Sequence, residues 1–392
     1  MQGELFDVAV IGAGPAGGSA TLHAAKQGLK TVLLEEHAKI GEPVHCGECL
    51  SDVAFERFGF KPPKEAVALN VKGVRVVFPN KTYSKLTEPG VVLEKHLFEQ
   101  WISRMAVDAG AQLELQCRVE ELNRQGSEWG LKCSNGRIFR SRAVIDASGV
   151  QSIASRKLNL NPRFKAVTGM QYEMLDIPTD GYLDFYLWPK LAPFGYLWMI
   201  PKNDGRANVG IIASESPKAK ANLDQFIKEM GWESKAKVKA FGGLIPEEGP
   251  VKNTYGEALL LVGDAAGFTS PMFEGGTQLG LISGKMAAEV CARAVEQGNF
   301  SQEFFSQYER TWKKEFPPYE ELLKGKELFY SFSDEELNQI AGLLPKELNN
   351  VHLAGNISIA VKILTRYPGL IKKGVVRAFK AFRYSRAQYY GW

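Results

Sequence analysis

The start of the chain carries the strongest constraint on its fold. A nearly all-apolar run at residues 6–11 leads into Gly12-Ala13-Gly14-Pro15-Ala16-Gly17, which fits the pattern G-x-G-x-x-G. A small-residue segment follows at 19–28, and then a second apolar run at 30–34 ends at Glu35. Buried parallel strands read as continuous apolar runs, so this order predicts a strand, a glycine turn, a helix and a second strand. These elements open a Rossmann-type fold that binds a dinucleotide.

Each position of this segment has a physical role. The first glycine permits the tight turn, the second lets the backbone approach a pyrophosphate, and the third allows close packing of helix on strand. The free N–H groups at the helix N-terminus attract the anion. Glu35, 23 residues after the first glycine, is placed to accept hydrogen bonds from a ribose hydroxyl, and Glu36 is the competing acid.

Two later segments indicate that the dinucleotide is FAD rather than NAD. Residues 143–149 are another apolar strand with a small-residue turn, and residues 258–267 are a third. The third contains Gly263-Asp264, and an acid at such a strand end can bind the ribitol chain of FAD. The helix predicted at 277–295 points its positive end at the flavin ring. A domain that binds only NAD has no need of this return segment.

With these segments in order, the chain resembles the FAD-binding fold of the para-hydroxybenzoate hydroxylase and glutathione reductase superfamily. Two departures argue against an ordinary aromatic hydroxylase: Gly267 stands where those enzymes usually carry a histidine, and Lys95 where they tend to carry an arginine. The resemblance implies an α/β chain with a Rossmann-type FAD-binding domain, an interleaved antiparallel β-sheet substrate domain and a C-terminal helical region. We expect the FAD-binding domain at 1–72, 91–163 and 254–300, the substrate domain at 73–90 and 164–253, and the helical region at 301–392.

The loop after the second strand carries a more specific resemblance. Residues 43–48 read Pro-Val-His-Cys-Gly-Glu, similar to the Pro-Val-x-Cys-Gly-Glu stretch of archaeal-type geranylgeranyl reductases, FAD enzymes that saturate isoprenoid double bonds. The resemblance implies that this loop lies near the isoalloxazine, with Cys46 on the substrate side. The FAD contacts that we expect are Gly12, Gly14, Pro15, Ala16, Gly17, Glu35, Glu36, Cys46, Gly47, Lys95, Gly263, Asp264, Gly275 and Gly276.

The spacing Cys46-x-x-Cys49 also permits a redox dithiol or half of a zinc site. The chain has no second C-x-x-C and only five scattered histidines, so we expect no metal. Cys49 is outside the reductase pattern, and a plain buried thiol is the favoured interpretation. Five cysteines are too few for a disulfide framework, and Cys117 and Cys133 are expected to be core residues of strand-like segments.

A second match to the reductases lies at residues 193–202. It reads Pro-Phe-Gly-Tyr-Leu-Trp-Met-Ile-Pro-Lys and resembles the family's Pro-x-x-Tyr-x-Trp-x-Phe-Pro, with isoleucine in place of phenylalanine. Alternating patterns at 182–188 and 196–200, separated by a turn at 189–195, continue through a turn at 202–206 to a strand at 207–212. The result is an antiparallel meander that would roof the flavin. The substrate contacts implied by the match are Pro193, Tyr196, Trp198 and Pro201.

The aromatic side chains of this meander have a chemical interpretation. An isoprenoid alkene is unactivated, so hydride addition produces a transition state with tertiary cation character, which an aromatic face stabilises. We therefore take Cys46, Tyr196 and Trp198 as the candidate catalytic residues. The structural alternative is that these aromatic rings only fill the core of a twisted sheet.

The end of the chain concentrates positive charge. Residues 361–392 contain eight cations and no acid, so they carry +8, and the remaining residues carry −4 of the total of +4. Helices are expected over residues 300–392, with breaks at Pro317-Pro318 and Pro368-Gly369. Basic and aromatic residues mixed on short helices favour a membrane surface with anionic headgroups. A solvated helical face is the alternative, and nucleic acid is not expected.

The sequence predicts a soluble enzyme rather than a secreted or membrane-spanning protein. Its first residues lack a secretory signal, and no apolar run is long enough to span a bilayer. We expect a cytoplasmic protein at the inner face of the membrane. A second Rossmann motif, which would hold NADPH permanently, is absent. We therefore expect electrons to reach FAD from transiently bound NADPH or from a ferredoxin-like protein.

The resemblance implies reduction of a geranylgeranyl chain on a lipid precursor or a diphosphate. The family also includes enzymes that act on chlorophyll side chains and menaquinone tails, and the Cys-Gly-Glu form favours the archaeal lipid type. One alternative is a flavin-dependent monooxygenase or halogenase, because Tyr-x-Trp-x-Ile-Pro also resembles a halogenase segment. Another is a flavin-binding or membrane-recruitment protein without activity.

Overall fold

The computed structural model describes residues 4–162, 165–212, 218–349, 361–390 and 392. The strands are β1 (Leu5–Ile11), β2 (Thr31–Leu34), β3 (Cys49–Ser51), β4 (Val67–Val71), β5 (Gly73–Val77), β6 (Tyr83–Leu86), β7 (Gly90–Leu93), β8 (Gln112–Glu114), β9 (Val119–Gln125), β10 (Glu128–Cys133), β11 (Ile138–Asp146), β12 (Ala166–Met174), β13 (Tyr182–Tyr186), β14 (Tyr196–Pro201), β15 (Ala207–Ile212), β16 (Lys237–Pro246), β17 (Tyr255–Gly256) and β18 (Leu259–Leu261).

The α-helices begin with α1, directly after the glycine turn. They are α1 (Pro15–Lys26), α2 (Asp52–Phe58), α3 (Lys95–Asp108), α4 (Ile153–Leu158), α5 (Ala219–Glu229), α6 (Thr277–Gln297), α7 (Gln302–Glu315), α8 (Tyr319–Phe329), α9 (Asp334–Ala341), α10 (361–366), α11 (Pro368–Lys372), α12 (Val375–Phe382) and α13 (Ala387–Tyr390).

The parallel strands predicted from the apolar runs form the centre of one sheet. Its order is β17-β18-β11-β1-β2-β8, and β9 and β10 continue it as an antiparallel hairpin on β11. Strand β1 pairs in parallel with both β2 and β11, and β18 pairs in parallel with β11. Helices α1 and α6 pack against each other over this sheet. The Rossmann-type α/β arrangement expected from the sequence is therefore confirmed.

A second sheet of seven strands, in the order β16-β12-β15-β14-β13-β5-β6, faces the first cavity described below. The predicted meander β13-β14-β15 is antiparallel, whereas β13 and β5 form a parallel pair, which the sequence did not predict. Tyr186 and Trp188 pack on one side of this sheet against Phe226 of α5. The opposite side carries Tyr196 and Trp198. The boundary expected between residues 163 and 164 lies outside the described residues.

The C-terminal part is helical, as expected. Pro317-Pro318 separates α7 from α8. Pro368 is the first residue of α11, where its missing N–H costs no hydrogen bond, so the break precedes Pro368-Gly369 rather than coinciding with it. None of the described helices is long and apolar enough to cross a bilayer.

Cys117 and Cys133 are buried in the core, as expected, but they are also joined in a disulfide. The number of cysteines did not predict this bond. The hairpin of β9 and β10 brings their Cα atoms to 5.3 Å, within the range that a disulfide spans. Cys46, Cys49 and Cys291 are free thiols.

Candidate active site

A cavity of about 340 Å³, which we call the first cavity, lies between the parallel sheet and the seven-stranded sheet. It collects most of the predicted site residues from distant parts of the sequence. Those that line it are Gly14, Pro15, Ala16, Cys46, Gly47, Lys95, Tyr196, Trp198, Gly263, Asp264, Gly275 and Gly276. Those that do not are Gly12, Gly17, Glu35, Glu36, Pro193 and Pro201. Pro193 lies in the turn before β14, and Pro201 is the last residue of that strand.

The glycine turn is shaped by close backbone contacts. Gly12 has φ of +96°, and a Cβ atom there would press on the carbonyl oxygen of Ala147. A Cβ atom at Gly17 would collide with the carbonyl oxygen of Gly12. In front of Gly14, by contrast, no atom lies within 4 Å of the position that a Cβ would take. The backbone at Gly12 and Gly17 is therefore tightly packed, whereas Gly14 leaves space on the side of the first cavity.

The two acids at the end of β2 have different surroundings. Glu35 is buried, and its Oε2 accepts a hydrogen bond of 2.8 Å from the backbone N–H of Ala13. Its Oε1 accepts from the backbone N–H of His37 at 2.9 Å. Glu36 is half exposed and lies 3.5 Å from Arg118. Glu35 is thus fixed against the glycine turn, whereas Glu36 faces a surface cation.

The carboxylate of Asp264 has no hydrogen-bond donor among the described residues. It lines the first cavity. Burial raises the pKa of Asp264 to about 6, although the charge of Lys95 opposes this effect. A polyol that donated hydroxyl protons would satisfy this carboxylate. Together with the open face of Gly14 and the helix N-termini of α1 and α6, it fits a bound FAD.

Lys95 is the first residue of α3 and supplies a fixed cation to the first cavity. Its Nζ lies 2.7 Å from the carboxylate of Glu99. Burial works against the charged form, but the attraction of Glu99, Cys46 and Glu48 outweighs it and raises the pKa of Lys95. Lys95 is therefore charged throughout the physiological range, which fits the anionic character of FAD and its reduced ring.

The loop that carries Cys46 is held by the buried side chain of Glu48. Glu48 Oε1 accepts from the backbone N–H of Lys95 at 3.0 Å, and Oε2 accepts from Asn208 at 2.8 Å. The backbone N–H of Glu48 donates to Cys46 Sγ at 3.2 Å, and φ of Glu48 is +74°. These bonds fix the position of the Cys46 thiol relative to α3 and the second sheet. Burial raises the pKa of the nearby Cys49 thiol to about 12.

Lys202 completes an ion network beneath this loop. The sequence predicted it as the first residue of a turn, and it does begin one, but its side chain is only 2% exposed. Its Nζ lies 2.9 Å from both Glu48 and Glu94. Arg206 also contacts Glu94, at 2.7 Å. The end of β14 is thereby linked to the loop that contains Cys46.

One wall of the first cavity is aromatic. Tyr196 is at its centre, with ring centroids 5.8 Å from Trp198, 5.6 Å from Phe185 and 5.2 Å from Phe273. Its hydroxyl donates to the carbonyl of Phe273 at 2.8 Å, and burial raises the pKa of Tyr196 well above the ordinary value. Tyr196 is therefore a neutral part of an aromatic surface.

A buried carboxylate stands beside this wall. Glu274 lines the first cavity, its Oε1 lies 3.2 Å from Lys326, and its Oε2 has no hydrogen-bond partner among the described residues. Burial raises the pKa of Glu274, although Lys326 works in the opposite direction. A carboxyl group with a raised pKa in a cavity is a candidate proton donor.

Sequence reasoning missed Gln171, Lys202, Phe185, Phe273 and Glu274. Phe185 lies opposite Trp198 in the register of β13 and β14, so its place depends on a pairing that one strand alone does not reveal. Gln171, on β12, reaches the site only through the order of the sheet. Lys202 ends the reductase-like segment at 193–202, and Glu274 directly precedes Gly275-Gly276. A charged residue inside or next to such a motif could have marked both as site residues.

Two sequence families match this chain. The profile described as FAD dependent oxidoreductase matches residues 7–156. The profile described as geranylgeranyl reductase catalytic domain matches residues 165–245. The first match covers the glycine turn and β11, and the second covers the strands that carry the aromatic wall. The fold and the site thus define an FAD-dependent oxidoreductase.

Similar proteins place the chain more closely. Digeranylgeranylglycerophospholipid reductase 2 of Methanopyrus kandleri is 35% identical over 388 residues, which cover 94% of this chain and 98% of that protein. Digeranylgeranylglycerophospholipid reductase of Methanococcus vannielii is 34% identical over 388 residues, which cover 94% of this chain and 97% of that protein. This chain therefore belongs to the geranylgeranyl reductase family.

Solved structures agree with this placement. A geranylgeranyl bacteriochlorophyll reductase-like protein from Thermoplasma acidophilum superposes with a TM-score of 0.86 at 29% identity, and the match covers 95% of this chain and 99% of that one. The flavin-dependent halogenase CmlS superposes with a TM-score of 0.69 at 20% identity, covering 85% of this chain and 66% of that one. The halogenase likeness shows a shared fold alone.

Proposed function

We propose that this protein reduces carbon–carbon double bonds of geranylgeranyl chains, using FAD held in the first cavity. The observation that carries the proposal is the aromatic wall around Tyr196, which borders the same cavity as Gly14 and Asp264. FAD, when bound in reduced form, supplies hydride. Saturation of each double bond takes one hydride and one proton and adds two hydrogens to the substrate.

The chain offers room for a long apolar substrate. A second cavity, of about 750 Å³, lies between the seven-stranded sheet and helices α8 to α12, and its lining is mainly apolar. A small space of about 30 Å³ shares Phe185, Phe273 and Trp392 with the first cavity and Val76 and Phe382 with the second. The two cavities therefore approach each other through apolar side chains, which suits a hydrocarbon chain that reaches from one to the other.

The aromatic wall and the loop at Cys46 have separate proposed roles. Tyr196 and Trp198 present ring faces to the reacting carbons and stabilise the positive charge that develops there. Cys46 borders the same space, and since its sulfur accepts the N–H of Glu48, its own proton is left for a molecule in the cavity. Glu274, which also lines the first cavity, offers a second proton. The site residues predicted from sequence remain proposals in these roles.

The family resemblance also bears on the substrate, the electron donor and the location of the protein. The substrate is a geranylgeranyl lipid precursor or geranylgeranyl diphosphate, and the names of the relatives, which refer to digeranylgeranylglycerophospholipid, support the lipid precursor. The electrons reach FAD from NADPH or from a ferredoxin-like protein. The protein works in the cytoplasm at the inner surface of the membrane, because its substrate belongs to the bilayer. We also propose that the domains are divided as the sequence predicts.

The direct test begins with protein that is loaded with FAD and reduced by dithionite without oxygen. A geranylgeranyl lipid or diphosphate is then added, and product mass and flavin absorbance are followed. Mass gains in steps of two hydrogens, together with flavin reoxidation, are expected. Flavin that stays reduced until air is admitted would overturn the proposal and favour monooxygenase or halogenase chemistry.

A further inference from the structure

Helix α12 exposes a mixed face at the second cavity. Val375, Ala378 and Ala381 are buried, whereas Val376, Lys380 and Arg383 are exposed. Arg383 directly follows α12 and keeps a helical backbone, so the spacing of i, i+4 and i+7 places the three exposed residues on one side. All three also line the second cavity. The apolar lining of the cavity therefore continues directly into a basic surface.

Two apolar side chains mark where this cavity meets solvent. Leu364 of α10 is 59% exposed and Val376 of α12 is 63% exposed, and both line the second cavity. Val361, also on α10, is 50% exposed. Because residues that line the cavity are this exposed, the cavity opens between α10 and α12. We call this opening the mouth.

Most cations of residues 361–392 have no acidic partner among the described residues. Three of the eight cations in residues 361–392 have acidic partners: Lys373 with Glu336, Lys380 with Glu321, and Arg386 with Glu88. The remaining five lack an acidic partner within ion-pair distance in the described part of the chain. We call these five the cationic rim: Lys362, Arg366, Lys372, Arg377 and Arg383.

We propose that the mouth and the cationic rim dock on a bilayer that contains anionic lipids. The rim contacts the headgroups, and Val361, Leu364 and Val376 enter the interfacial layer. A chain anchored in the membrane then passes from the leaflet into the second cavity without crossing water. Only this last step rests on the proposed function; the docking itself follows from the surface.

The surface favours a membrane over other anionic partners. Nucleic acid binding uses cations that track phosphates and gains nothing from exposed aliphatic side chains. A second copy of this chain would bring two rims of the same sign together, which is unfavourable. Exposed aliphatic side chains and unpaired cations on the same short helices match the layered chemistry of an anionic lipid surface.

The test uses the FAD-loaded full chain and vesicles of either phosphatidylcholine alone or phosphatidylcholine with phosphatidylglycerol. The test variant replaces Lys362, Arg366, Lys372 and Arg377 by glutamine; none of them lines either cavity. The control variant replaces four exposed lysines elsewhere by glutamine, which gives the same change in net charge. These lysines are Lys61, Lys157, Lys228 and Lys252.

Cosedimentation should show binding to the anionic vesicles only. The test variant should bind roughly tenfold more weakly or worse, since each cation near the surface contributes to binding, while the control variant should bind like the unaltered protein. Equal binding by all three proteins would overturn the proposal, and so would binding to duplex DNA with no binding to vesicles.

A second readout separates this proposal from the proposed function. With a geranylgeranyl substrate dispersed in detergent, the test variant should turn over at the unaltered rate, whereas with the same substrate in anionic vesicles it should be slower. Lack of alkene reduction by the unaltered protein would reject the proposed function, while the cosedimentation result would still decide the docking.

Discussion

The side-chain amide of Gln171 joins Trp198 to the loop that carries Cys46. Gln171 Oε1 accepts a hydrogen bond of 2.9 Å from the indole N–H of Trp198. Its Nε2 donates to the carbonyl oxygen of Cys46 at 2.6 Å. One side chain on β12 therefore sets the distance between two candidate catalytic residues on separate elements.

Replacing Gln171 by leucine should disturb the reaction without removing the cofactor. Both hydrogen bonds are lost while the volume is nearly kept, so we expect turnover to fall roughly tenfold or more, with FAD content unchanged. Stopped-flow reoxidation of the reduced flavin by substrate, with the flavin-to-protein ratio, measures both. Gln225→Leu, on the exposed face of α5, is the control. Equal losses of FAD and of turnover would show a merely structural role.

Trp198 should contribute more to the rate than to FAD binding. Trp198→Phe keeps an aromatic face, whereas Trp198→Leu does not, so we expect the leucine variant to lose about tenfold or more in turnover relative to the phenylalanine variant. Single-turnover rates with FAD-loaded proteins make the comparison. If the two variants react equally fast, the aromatic face has no part in the transition state.

Breaking the buried ion pair between Glu48 and Lys202 should lower the free energy of unfolding more than breaking an exposed ion pair does. Lys202→Met leaves buried carboxylates without their cation, and we expect a loss of about 3–5 kcal/mol in the free energy of unfolding. Glu48→Gln combined with Lys202→Met should recover part of this loss. Denaturant unfolding followed by circular dichroism measures it. Lys220→Met, which breaks an exposed pair with Asp224, should cost far less.

Glu274 should control how the rate depends on pH. Burial raises the pKa of Glu274, so its carboxyl keeps a proton at higher pH than an ordinary glutamic acid. If it donates that proton, turnover falls as pH rises through the raised pKa. Glu274→Gln should then lower turnover about 10²-fold and abolish this fall, while Cys46→Ala should retain it. A pH profile that keeps its shape in Glu274→Gln but loses it in Cys46→Ala would assign the proton to the thiol.

Asp264 should make the FAD-free protein less stable as pH rises. Burial raises its pKa from 3.8 to about 6, so the folded state binds the proton more tightly than the unfolded state. The contribution of Asp264 is therefore complete below pH 3.8 and is lost between about pH 4 and 6, with a maximum of about 3 kcal/mol.

Asp264→Asn removes this dependence. Above pH 6, the FAD-free variant should unfold at higher denaturant concentration than the unaltered protein, and its affinity for FAD should be weaker. Asp108→Asn, at the exposed end of α3, is the control for a loss of one carboxylate. An FAD-free Asp264→Asn variant with unaltered pH dependence would contradict the buried, unpartnered state of this acid.

Local patterns predicted the parallel core and the meander because their signals are short-range. The strand ending at Ile11, the glycine turn and the helix α6 follow from apolar runs and glycines within single segments. The positions of Gln171 and Phe185 depend instead on which strands pair, and the parallel pairing of β5 with β13 joins segments more than 100 residues apart. No single segment contains that information.

The reductase-like segment at 193–202 predicted where the site lies, but it did not predict what each of its residues does. Tyr196 and Trp198 both line the first cavity, as their shared face predicted, whereas Pro193 and Pro201 do not line it, and their contacts with substrate stay a prediction. Lys202, the last residue of the same motif, looked like a turn residue because its sequence context is polar. Its burial depends on the acids of Glu48 and Glu94, which come from elsewhere in the chain.

The narrow apolar space between Phe185, Phe273 and Phe382 has a consequence for the order of the reaction. The space measures only about 30 Å³, so a polyprenyl chain that passes from the second cavity to the first must widen it and is expected to advance through it lengthwise, past the aromatic wall. The double bonds of one chain then meet the reducing centre in the order of their positions along it. Partly saturated products taken early in a time course should therefore share one pattern of saturation rather than a random mixture.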